Sequence, residues 1–520
     1  MSLGLPQETK VINAPLATTR KPNMRVNVFH IPESEIEPLT LKLKASQMEI
    51  IKTDQQSTWT GNFHFAARPV PTPVSWAKTY KDFFSGTKIP TNRNHYAAFV
   101  FTNGTECYVI SYGKAHFYVR PYCDYDFGIE IAKRIADESE IRQTASRRFQ
   151  GRRKKDIRSF TYHTRLDVES GESVEYLQAA VMLDCRARFG KTGKFGTSVQ
   201  LTPDIDPSEL GQFLDALGDQ LAKPARFALP RTTLISEPDE VKRYDELLRD
   251  ALLSDSGTTE FTHNSYDLYG VDFVFASDGN FTLGCPGYPS TTLNRLDMSM
   301  LKGYIAENRI AREDLLSIKV RNEAEDAPGY TQTIKEALDF IADDDRVLLT
   351  NGRWMHFNQD YLDFLDDFLR EIAVEDLEPE FAEVSGTEPN FFESAAVNRA
   401  GYMVTDKDYS IFKTRSKTPV EAWDLTKGSR VYAVKFGTPQ KLGYVCDQAT
   451  GLLELLRNKA GVKAVPNFTS YCLWLGYQSK RPLDNITATG SIILKQKIET
   501  WARKARDLGV EPVIKISRKV

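Results

Sequence analysis

A chain of 520 residues is too long for a single hydrophobic core, and this length predicts about three domains, or at most about four. Hydrophobic residues make up 41% of the chain and charged residues 26%, which indicates a globular protein rather than a disordered or fibrous one. The 67 basic and 70 acidic residues give a net charge of −3, so overall charge cannot drive binding to nucleic acid, and a local basic patch would have to do so.

Several locations and chemistries are not expected from the sequence. The chain starts without a basic segment followed by an apolar run, and it has no stretch of 18 apolar residues, so we expect a cytoplasmic protein that does not enter a membrane. Its six scattered cysteines predict reduced, mostly buried thiols and no structural zinc site. GxSxG and HExxH motifs are absent, and Cys185 stands where a phosphate loop ending at Gly190-Lys191-Thr192 would need glycine.

The first predicted domain, residues 1–130, is rich in β-structure. Short alternating runs before residue 60 predict edge strands, and the proline-rich segment 68–73 predicts a stiff connector. Two β-rich runs between residues 96 and 119 predict a hairpin or meander. A helix is expected over 128–136, with Ile131 and Ile135 on one face.

The second predicted region, residues 131–215, combines a basic segment with a glycine-rich loop. Eleven basic and four acidic residues lie between Lys133 and Arg165. Such a cluster neutralises phosphates, and Phe149 within it would stack on an unpaired base, so we expect segment 142–158 to be exposed and to bind nucleic acid. The alternative is a solvated surface loop. The residues expected to bind nucleic acid are Arg147, Arg148, Arg152, Arg153, Lys154, Lys155, Arg186 and Arg188.

In the remaining chain, the sequence pattern predicts a central α/β region, residues 216–385, and a C-terminal α/β domain, residues 386–520. A stripe of apolar residues predicts a helix over 360–375, and the acidic stretch 375–383 is typical of a linker. The C-terminal domain shows the order α-β-β-β-α-β-α-β, with a long amphipathic helix over 492–508. The whole chain therefore has the pattern of a multidomain α+β or α/β protein whose C-terminal domain contains a mixed sheet.

The C-terminal order resembles the restriction-endonuclease-like core, the PD-(D/E)xK superfamily. This resemblance implies a mixed sheet flanked by helices and a site in which acids hold Mg²⁺ or Mn²⁺ and a lysine polarises water or phosphate. Ala433 stands where the superfamily has its third-strand acid, and Asp406 is the expected replacement. The residues implied as catalytic are Asp406, Glu421, Asp424, Lys435 and Gln448, with Asp406 and Asp424 as metal ligands.

Six motifs are spread over residues 95 to 460: Tyr112-Gly113-Lys114, Asp126-Phe127-Gly128, the Arg-rich segment near Arg147, Gly190 to Ser198, Asn351-Gly352-Arg353-Trp354, and 420–425 followed by Val434-Lys435. Together they resemble an uncharacterised family of "sporadically distributed" bacterial proteins. That family's association with mobile elements implies antiviral defence.

Three functions follow from these patterns. The first is a nucleic-acid-targeting defence protein with an active or degenerate metal-dependent nuclease-like domain. The second is a non-enzymatic DNA-binding sensor or effector, and the third is a scaffold subunit of a defence complex. The expected partner is nucleic acid, DNA in preference to RNA, and a second copy of the chain or a neighbouring defence protein is a further candidate.

Overall fold

In the computed structural model of the chain, the described residues are 24–69, 71–148, 154–253, 259–261, 266–269, 272–275, 279–293, 296–324, 330–342, 345–350, 352–406, 422–457, 468–478, 482–483 and 485–520. Within these ranges the chain forms 14 α-helices, and its strands belong to six sheets. The protein is therefore of mixed α+β class, as the sequence predicts.

Residues 26–221 are organised around one large sheet. The elements in this part are β1 (Val26–Ile31), α1 (Glu33–Ala45), β2 (Glu49–Gln56), β3 (Trp59–Phe65), β4 (Thr72–Pro73), α2 (Ser75–Thr79), β5 (Thr91–Asn92), β6 (Ala97–Thr102), β7 (Cys107–Tyr112), α3 (His116–Val119), α4 (Phe127–Ile135), β8 (Ala136–Arg148), β9 (Lys154–Thr164), β10 (Glu172–Val181), α5 (Arg186–Phe189), β11 (Thr192–Phe195), β12 (Val199–Leu201) and α6 (Leu210–Leu221). Ten of the strands pair in the order β2-β3-β6-β7-β1-β12-β11-β10-β8-β9, and β4 pairs with β5 separately.

Helix α4 shows why this part of the chain folds as it does. Ile131 and Ile135 are buried on one face, as their spacing predicts, and they pack with α6 in the core on one side of the sheet. Gly128 lies so close to the turn between β11 and β12 that a Cβ there would be 2.2 Å from the carbonyl oxygen of Ser198. The predicted domain boundary at residue 130 falls inside this helix, and strands on both sides of it belong to the same sheet.

The central part of the chain contains three smaller sheets. Its elements are β13 (Thr232–Leu234), α7 (Pro238–Leu253), β14 (Thr259–Phe261), β15 (Tyr266–Tyr269), β16 (Asp272–Phe275), β17 (Gly279–Gly284), β18 (Thr291–Leu293), α8 (Met298–Asn308), β19 (Lys319–Ala324), β20 (Tyr330–Thr333), α9 (Ile334–Ala337), β21 (Leu338–Ala342), β22 (Val347–Thr350), β23 (Arg353–Phe357) and α10 (Gln359–Arg370). The sheet orders are β13-β23-β22-β21-β14, β15-β16 and β18-β17-β19-β20. Helix α10 buries Tyr361, Leu365 and Leu369, and the first two of these belong to the apolar stripe that predicts the helix.

The C-terminal part forms a mixed sheet, which confirms the predicted order of its elements. These elements are β24 (Ala373–Val374), β25 (Glu383–Val384), α11 (Glu388–Phe392), α12 (Ala395–Arg399), β26 (Met403–Val404), β27 (Leu425–Lys427), β28 (Arg430–Gly437), α13 (Pro439–Arg457), β29 (Ser470–Gln478), α14 (Ile492–Asp507) and β30 (Glu511–Lys519). The sheet order is β24-β30-β29-β28-β27-β26, and β25 also pairs with β30. Strands β28, β29 and β30 are parallel, whereas β26, β27 and β28 pair antiparallel.

Side chains of the C-terminal sheet alternate between two cores. On β28, Val431 and Ala433 pack in the core that also contains residues of α10, α13 and α14. Tyr432 and Val434 face the second core, with residues of α11 and α12. This alternation follows from the two-residue period of a strand, because successive side chains point to opposite faces of the sheet.

The acidic stretch 375–383 is not a linker. It lies between β24 and β25, which both pair in parallel with β30, so these residues are part of the C-terminal sheet structure. The interpretation as a linker was wrong because its acids find basic partners that are distant in sequence, among them Arg430 and Lys515.

Two further expectations can be compared with the structure. All six cysteines are buried and have free thiols, as predicted. Among the helices of the described residues, none combines the length and the apolar character needed to cross a membrane.

Candidate functional site

Lys435, the residue predicted to act on phosphate, lies where β28 ends and the chain turns into α13. Because β28, β29 and β30 are parallel, their carboxyl ends meet at this edge of the sheet, which is where α/β sheets usually bind ligands. A cleft of about 360 Å³ opens there. Its lining residues are Glu388, Lys435, Phe436, Lys441, Tyr444 and Gln448. The structure therefore brings together Lys435 and Gln448, two of the five residues predicted as catalytic.

The turn between β28 and α13 depends on a glycine. Gly437 has a φ of +145°, and a Cβ at this position would lie 2.9 Å from the side chain of Lys441. Glycine adopts such a backbone conformation without steric cost, so it lets the strand pass directly into the helix. As a result, Lys435 at the strand end and Lys441 in the first turns of α13 face the same cleft.

Glu388 faces Lys435 across the cleft. Its Oε1 atom lies 3.4 Å from Lys435 Nζ and accepts a hydrogen bond of 2.9 Å from the backbone N–H of Phe436. Burial alone would raise the pKa of the Glu388 carboxyl, but the Phe436 N–H and the charge of Lys435 outweigh it and lower the pKa below its usual value. Glu388 is therefore a carboxylate at neutral pH, and it holds the amino group of Lys435 at the cleft.

The lining of the cleft carries more positive than negative charge, because Lys435 and Lys441 outnumber Glu388. Lys441, Tyr444 and Gln448 are exposed on α13, and Tyr444 exposes 69% of its surface. The free N–H groups at the start of this 19-residue helix add partial positive charge near Lys441. Two ammonium groups, a side-chain amide and a helix N-terminus suit an oxyanion such as a phosphate.

The predicted acids lie elsewhere. Asp424 continues the pairing of β27 with β28: its N–H donates to Tyr432 O at 2.8 Å, and its Oδ2 accepts from the N–H of Val434 at 2.6 Å. Asp406 follows β26 and is half-buried. Neither residue lines the cleft with Lys435. Glu421 lies outside the described residues.

The buried environment of Ala433 explains why position 433 does not carry the third-strand acid of the superfamily. It is 5% exposed and packs in the core with residues of α13, where a carboxylate would lose its hydration. In the part of the chain that the structure describes, no group of three or more histidine, cysteine, aspartate or glutamate side chains could hold a metal ion.

Arg147 corrects the prediction that segment 142–158 is exposed. It is 2% exposed, its Nε lies 3.0 Å from Glu175 Oε1, and its guanidinium also bonds the hydroxyl of Thr350. A run of basic residues predicts exposure only if their charges lack partners within the fold. Here β8 pairs with β10, the strand that carries Glu175, so the charge of Arg147 is neutralised inside the protein.

Arg148 likewise belongs to an internal ion-pair network. Its guanidinium lies 3.2 Å from Glu499 on α14 and 3.7 Å from Glu172, and it also bonds Glu169 at 2.5 Å. Glu499 is 1% exposed and also pairs with Arg503. The arginine therefore ties the large N-terminal sheet to the C-terminal helix α14.

The other predicted basic residues are distributed differently. Arg152 and Arg153 lie outside the described residues, and Lys154 and Lys155 belong to β9. Arg186 donates from Nε to Val181 O at 2.7 Å and lies 3.7 Å from Glu140. Arg188 is exposed.

A buried ion cluster on the second face of the C-terminal sheet was not predicted. Lys515 on β30 is fully buried, and its Nζ donates to Glu375 at 2.8 Å, Glu378 at 2.7 Å and the hydroxyl of Tyr402 at 2.7 Å. Glu375 also pairs with Arg430 at 2.5 Å. One signal in the sequence was available: a lysine at the centre of an apolar strand must find an anionic partner.

The charges of this cluster set the ionisation of its acids. Burial acts to raise the pKa of Glu378, but hydrogen bonds from Lys515 and Lys427 prevail and lower this pKa to about 2. The pKa of Glu375 is also lowered, because Lys515 and Arg430 outweigh its burial. Burial and the neighbouring Glu375 carboxylate raise the pKa of Tyr402, which stays protonated. The cluster is thus a structural core of fixed charges.

The comparisons with known proteins give a family and no function. No curated protein and no solved structure matches the chain. The model of a family of unknown function, DUF6119, matches residues 32–467, which is most of the large sheet, all of the central part and half of the C-terminal part. The chain belongs to this DUF6119 family.

Proposed function

We propose that the protein binds nucleic acid and that the cleft at the end of β28 takes a backbone phosphate. The observation that carries this proposal is the convergence of Lys435, Lys441 and Gln448 around one cleft at the carboxyl edge of the parallel strands. Lysine ammonium groups and helix N-termini supply much of the binding energy for phosphates in nucleic-acid complexes. DNA is the proposed ligand, in preference to RNA.

A divalent metal ion does not fit the described residues of this cleft. The nuclease-like resemblance implies Mg²⁺ or Mn²⁺, which need several oxygen ligands. Among the described residues that line the cleft, Glu388 is the one carboxylate, and it already accepts from Phe436 and pairs with Lys435. We therefore propose that the nuclease-like domain is degenerate and binds DNA without cleaving it. The protein would then act as a DNA-binding sensor or effector.

Metal-dependent cleavage is the second candidate function. The mixed sheet with three parallel strands and the position of Lys435 at the end of β28 favour it. In this candidate Asp424 and Asp406, with Glu421, would hold Mg²⁺ or Mn²⁺, and Lys435 would contact the scissile phosphate.

The cellular role rests on the family resemblance and on the sequence alone. We propose a cytoplasmic bacterial protein of antiviral defence, associated with mobile elements, that acts on nucleic acid. A scaffold role beside a neighbouring defence protein, or a second copy of this chain, remains the alternative from another class. DNA retention that depends on the cleft separates the binding proposal from the scaffold role.

The binding test compares the wild type with the double variant Lys435→Gln/Lys441→Gln. Fluorescence anisotropy with a labelled 20-nucleotide strand, the matching duplex and an RNA strand is measured from 50 to 300 mM salt. We expect affinity to fall about tenfold or more. The slope of log affinity against log salt should decrease by about 1.8 for the duplex and about 1.4 for the single strands, because each lost phosphate contact removes about 0.9 or about 0.7 of a unit, respectively. Lys319→Gln removes an exposed lysine from β19 and is the control. Unchanged affinity and slope would refute the cleft as a phosphate site.

The cleavage test uses plasmid, linear and single-stranded DNA with and without Mg²⁺ or Mn²⁺. We expect no cleavage by the wild type. Cleavage that is lost in both Asp424→Asn and Lys435→Gln would replace the binding proposal with the enzymatic one. Circular dichroism of each variant checks that the fold is intact.

A further inference from the structure

Residues 71–93 leave the large N-terminal sheet as a separate excursion, which we call the aromatic hairpin. Its ends are tied by the pairing of β4 with β5, where Thr72 faces Asn92, and by a 3.0 Å hydrogen bond from Val74 N–H to Pro90 O. Between these ends lie α2 and a short 3₁₀ turn, Lys81–Phe84. The hairpin is therefore anchored at its base by backbone hydrogen bonds.

The aromatic hairpin exposes three large rings to solvent. Trp76 exposes 61% of its surface, Tyr80 52% and Phe83 85%. The ring centroids of Tyr80 and Phe83 are 5.7 Å apart, and those of Trp76 and Phe84 are 6.3 Å apart. Clusters of exposed apolar groups are typical of binding surfaces, because soluble monomers rarely expose large contiguous apolar patches.

Basic residues outnumber acidic ones in the aromatic hairpin. The hairpin contains four basic residues and one acid, Asp82, although the chain as a whole has a net charge of −3. At its base, a cleft of about 290 Å³ is lined by Arg68 and Lys114 together with polar residues and Tyr118. The exposed cations of this surface are Arg68, Lys81, Lys88, Arg93 and Lys114. Within the described part of the chain, none of these five forms an ion pair.

We propose that the aromatic hairpin and the cleft at its base bind single-stranded nucleic acid. Bases stack on Trp76, Tyr80 and Phe83, and phosphates contact the five cations. A duplex does not fit this chemistry, because its bases are stacked on one another and do not offer their faces to a protein ring. This inference rests on the proposed function, and it specifies the form of the ligand and a second contact surface.

Charge complementarity argues for this occupant over an apolar partner. A purely apolar surface would suit a protein, but the hairpin also carries exposed cations for which the described residues supply no ion-pair partner, as in sites that track a nucleic-acid backbone. Membrane vesicles and a second copy of the chain are the competing occupants, and the experiment includes both.

The test uses the full chain and the variant Trp76→Ala/Phe83→Ala, with Tyr162→Ala as the control because Tyr162 is 84% exposed on β9. Anisotropy is measured with a labelled 20-nucleotide oligo(dT) and with a duplex of equal length. We expect the double variant to bind oligo(dT) at least about tenfold more weakly, with an unchanged salt slope, because stacking neutralises no phosphate. Duplex affinity should change less than twofold, and Tyr162→Ala should behave as the wild type.

The cations are tested separately. Lys81→Gln/Lys88→Gln should reduce the salt slope for oligo(dT) by about 1.4, the value for two phosphate contacts on a single strand. Binding of oligo(dT) should also quench tryptophan fluorescence, and Trp76→Phe should remove much of this quenching while largely preserving affinity.

Several results would overturn the proposal. One is equal oligo(dT) affinity in the wild type and in a folded Trp76→Ala/Phe83→Ala variant. Another is that the double variant loses binding to phosphatidylglycerol vesicles, or self-association in sedimentation, and keeps its binding to oligo(dT). Loss of DNA binding in Lys435→Gln/Lys441→Gln alone would support the cleft at β28 and refute the hairpin, whereas the reverse pattern would support the hairpin and refute that cleft.

Discussion

Replacing Lys515 with methionine removes the positive charge that two carboxylates share inside the C-terminal sheet. Lys515 is fully buried and bonds Glu375, Glu378 and the Tyr402 hydroxyl at 2.7–2.8 Å. Removing one partner of a buried ion pair costs about 3–5 kcal/mol, because the remaining charge stays without compensation. Glu375 keeps Arg430, and Glu378 keeps a lysine 2.9 Å away, so we expect the lower end, about 3 kcal/mol.

Hydrogen–deuterium exchange of peptides from β29 and β30 measures this cost where it arises, since a multidomain chain does not unfold in one step. A loss of about 3 kcal/mol corresponds to exchange roughly 150-fold faster. Lys504→Met is the matched control, because Lys504 forms a partly exposed pair with Glu454 at 3.1 Å and should cost under about 1 kcal/mol. Equal protection in the two variants would refute the reasoning that the buried charges stabilise the sheet.

Three further predictions concern other residues. The pKa of Glu378 is lowered to about 2, so the stability that its carboxylate contributes is complete above about pH 4.5 and is lost as the pH falls through 2. The partial exposure of Glu378 limits this contribution to about 2 kcal/mol. Glu378→Gln should therefore make the stability of the C-terminal sheet depend less on pH between pH 5 and 2. Gly128→Ala should destabilise the large N-terminal sheet by about 3 kcal/mol and speed hydrogen–deuterium exchange of β12 peptides, because the new Cβ would lie 2.2 Å from a backbone oxygen; unchanged exchange would contradict the close approach. Arg147→Met should destabilise the large sheet by about 2–4 kcal/mol by removing the buried guanidinium that pairs with Glu175 and bonds Thr350, and its effect on DNA affinity should be under twofold.

The sequence predicts those elements that have a strong hydrophobic periodicity and whose contacts are with residues nearby in the chain. Helix α14 begins and ends within one residue of its predicted limits, because a long amphipathic pattern leaves few alternatives. β1 was expected at a sheet edge but pairs with β7 and β12 on both sides, since strand order depends on distant contacts that a local pattern does not encode.

The candidate site was predictable in part. Lys435 and Gln448 were both named from the sequence, and they line one cleft. They lie at the end of a strand and on the helix that follows it, and consecutive elements of this kind are usually adjacent in space. Glu388 was missed because it reaches Lys435 from a helix that comes 47 residues earlier. Arg147 was misjudged for the same kind of reason: its charge is cancelled by Glu175 on a neighbouring strand, which a local count of charges does not reveal.

The link between Arg148 and Glu499 spans 351 residues of sequence, and this separation affects how the protein is made. At roughly 5–20 residues per second, a ribosome needs about 20–70 s to reach the glutamate after it has made the arginine. Glu169 and Glu172, which also pair with Arg148, follow within seconds and are therefore made long before Glu499. The N-terminal sheet thus contains its own counter-charges for Arg148, and α14 adds Glu499 to them, so docking of that helix is a late step in the protein's assembly.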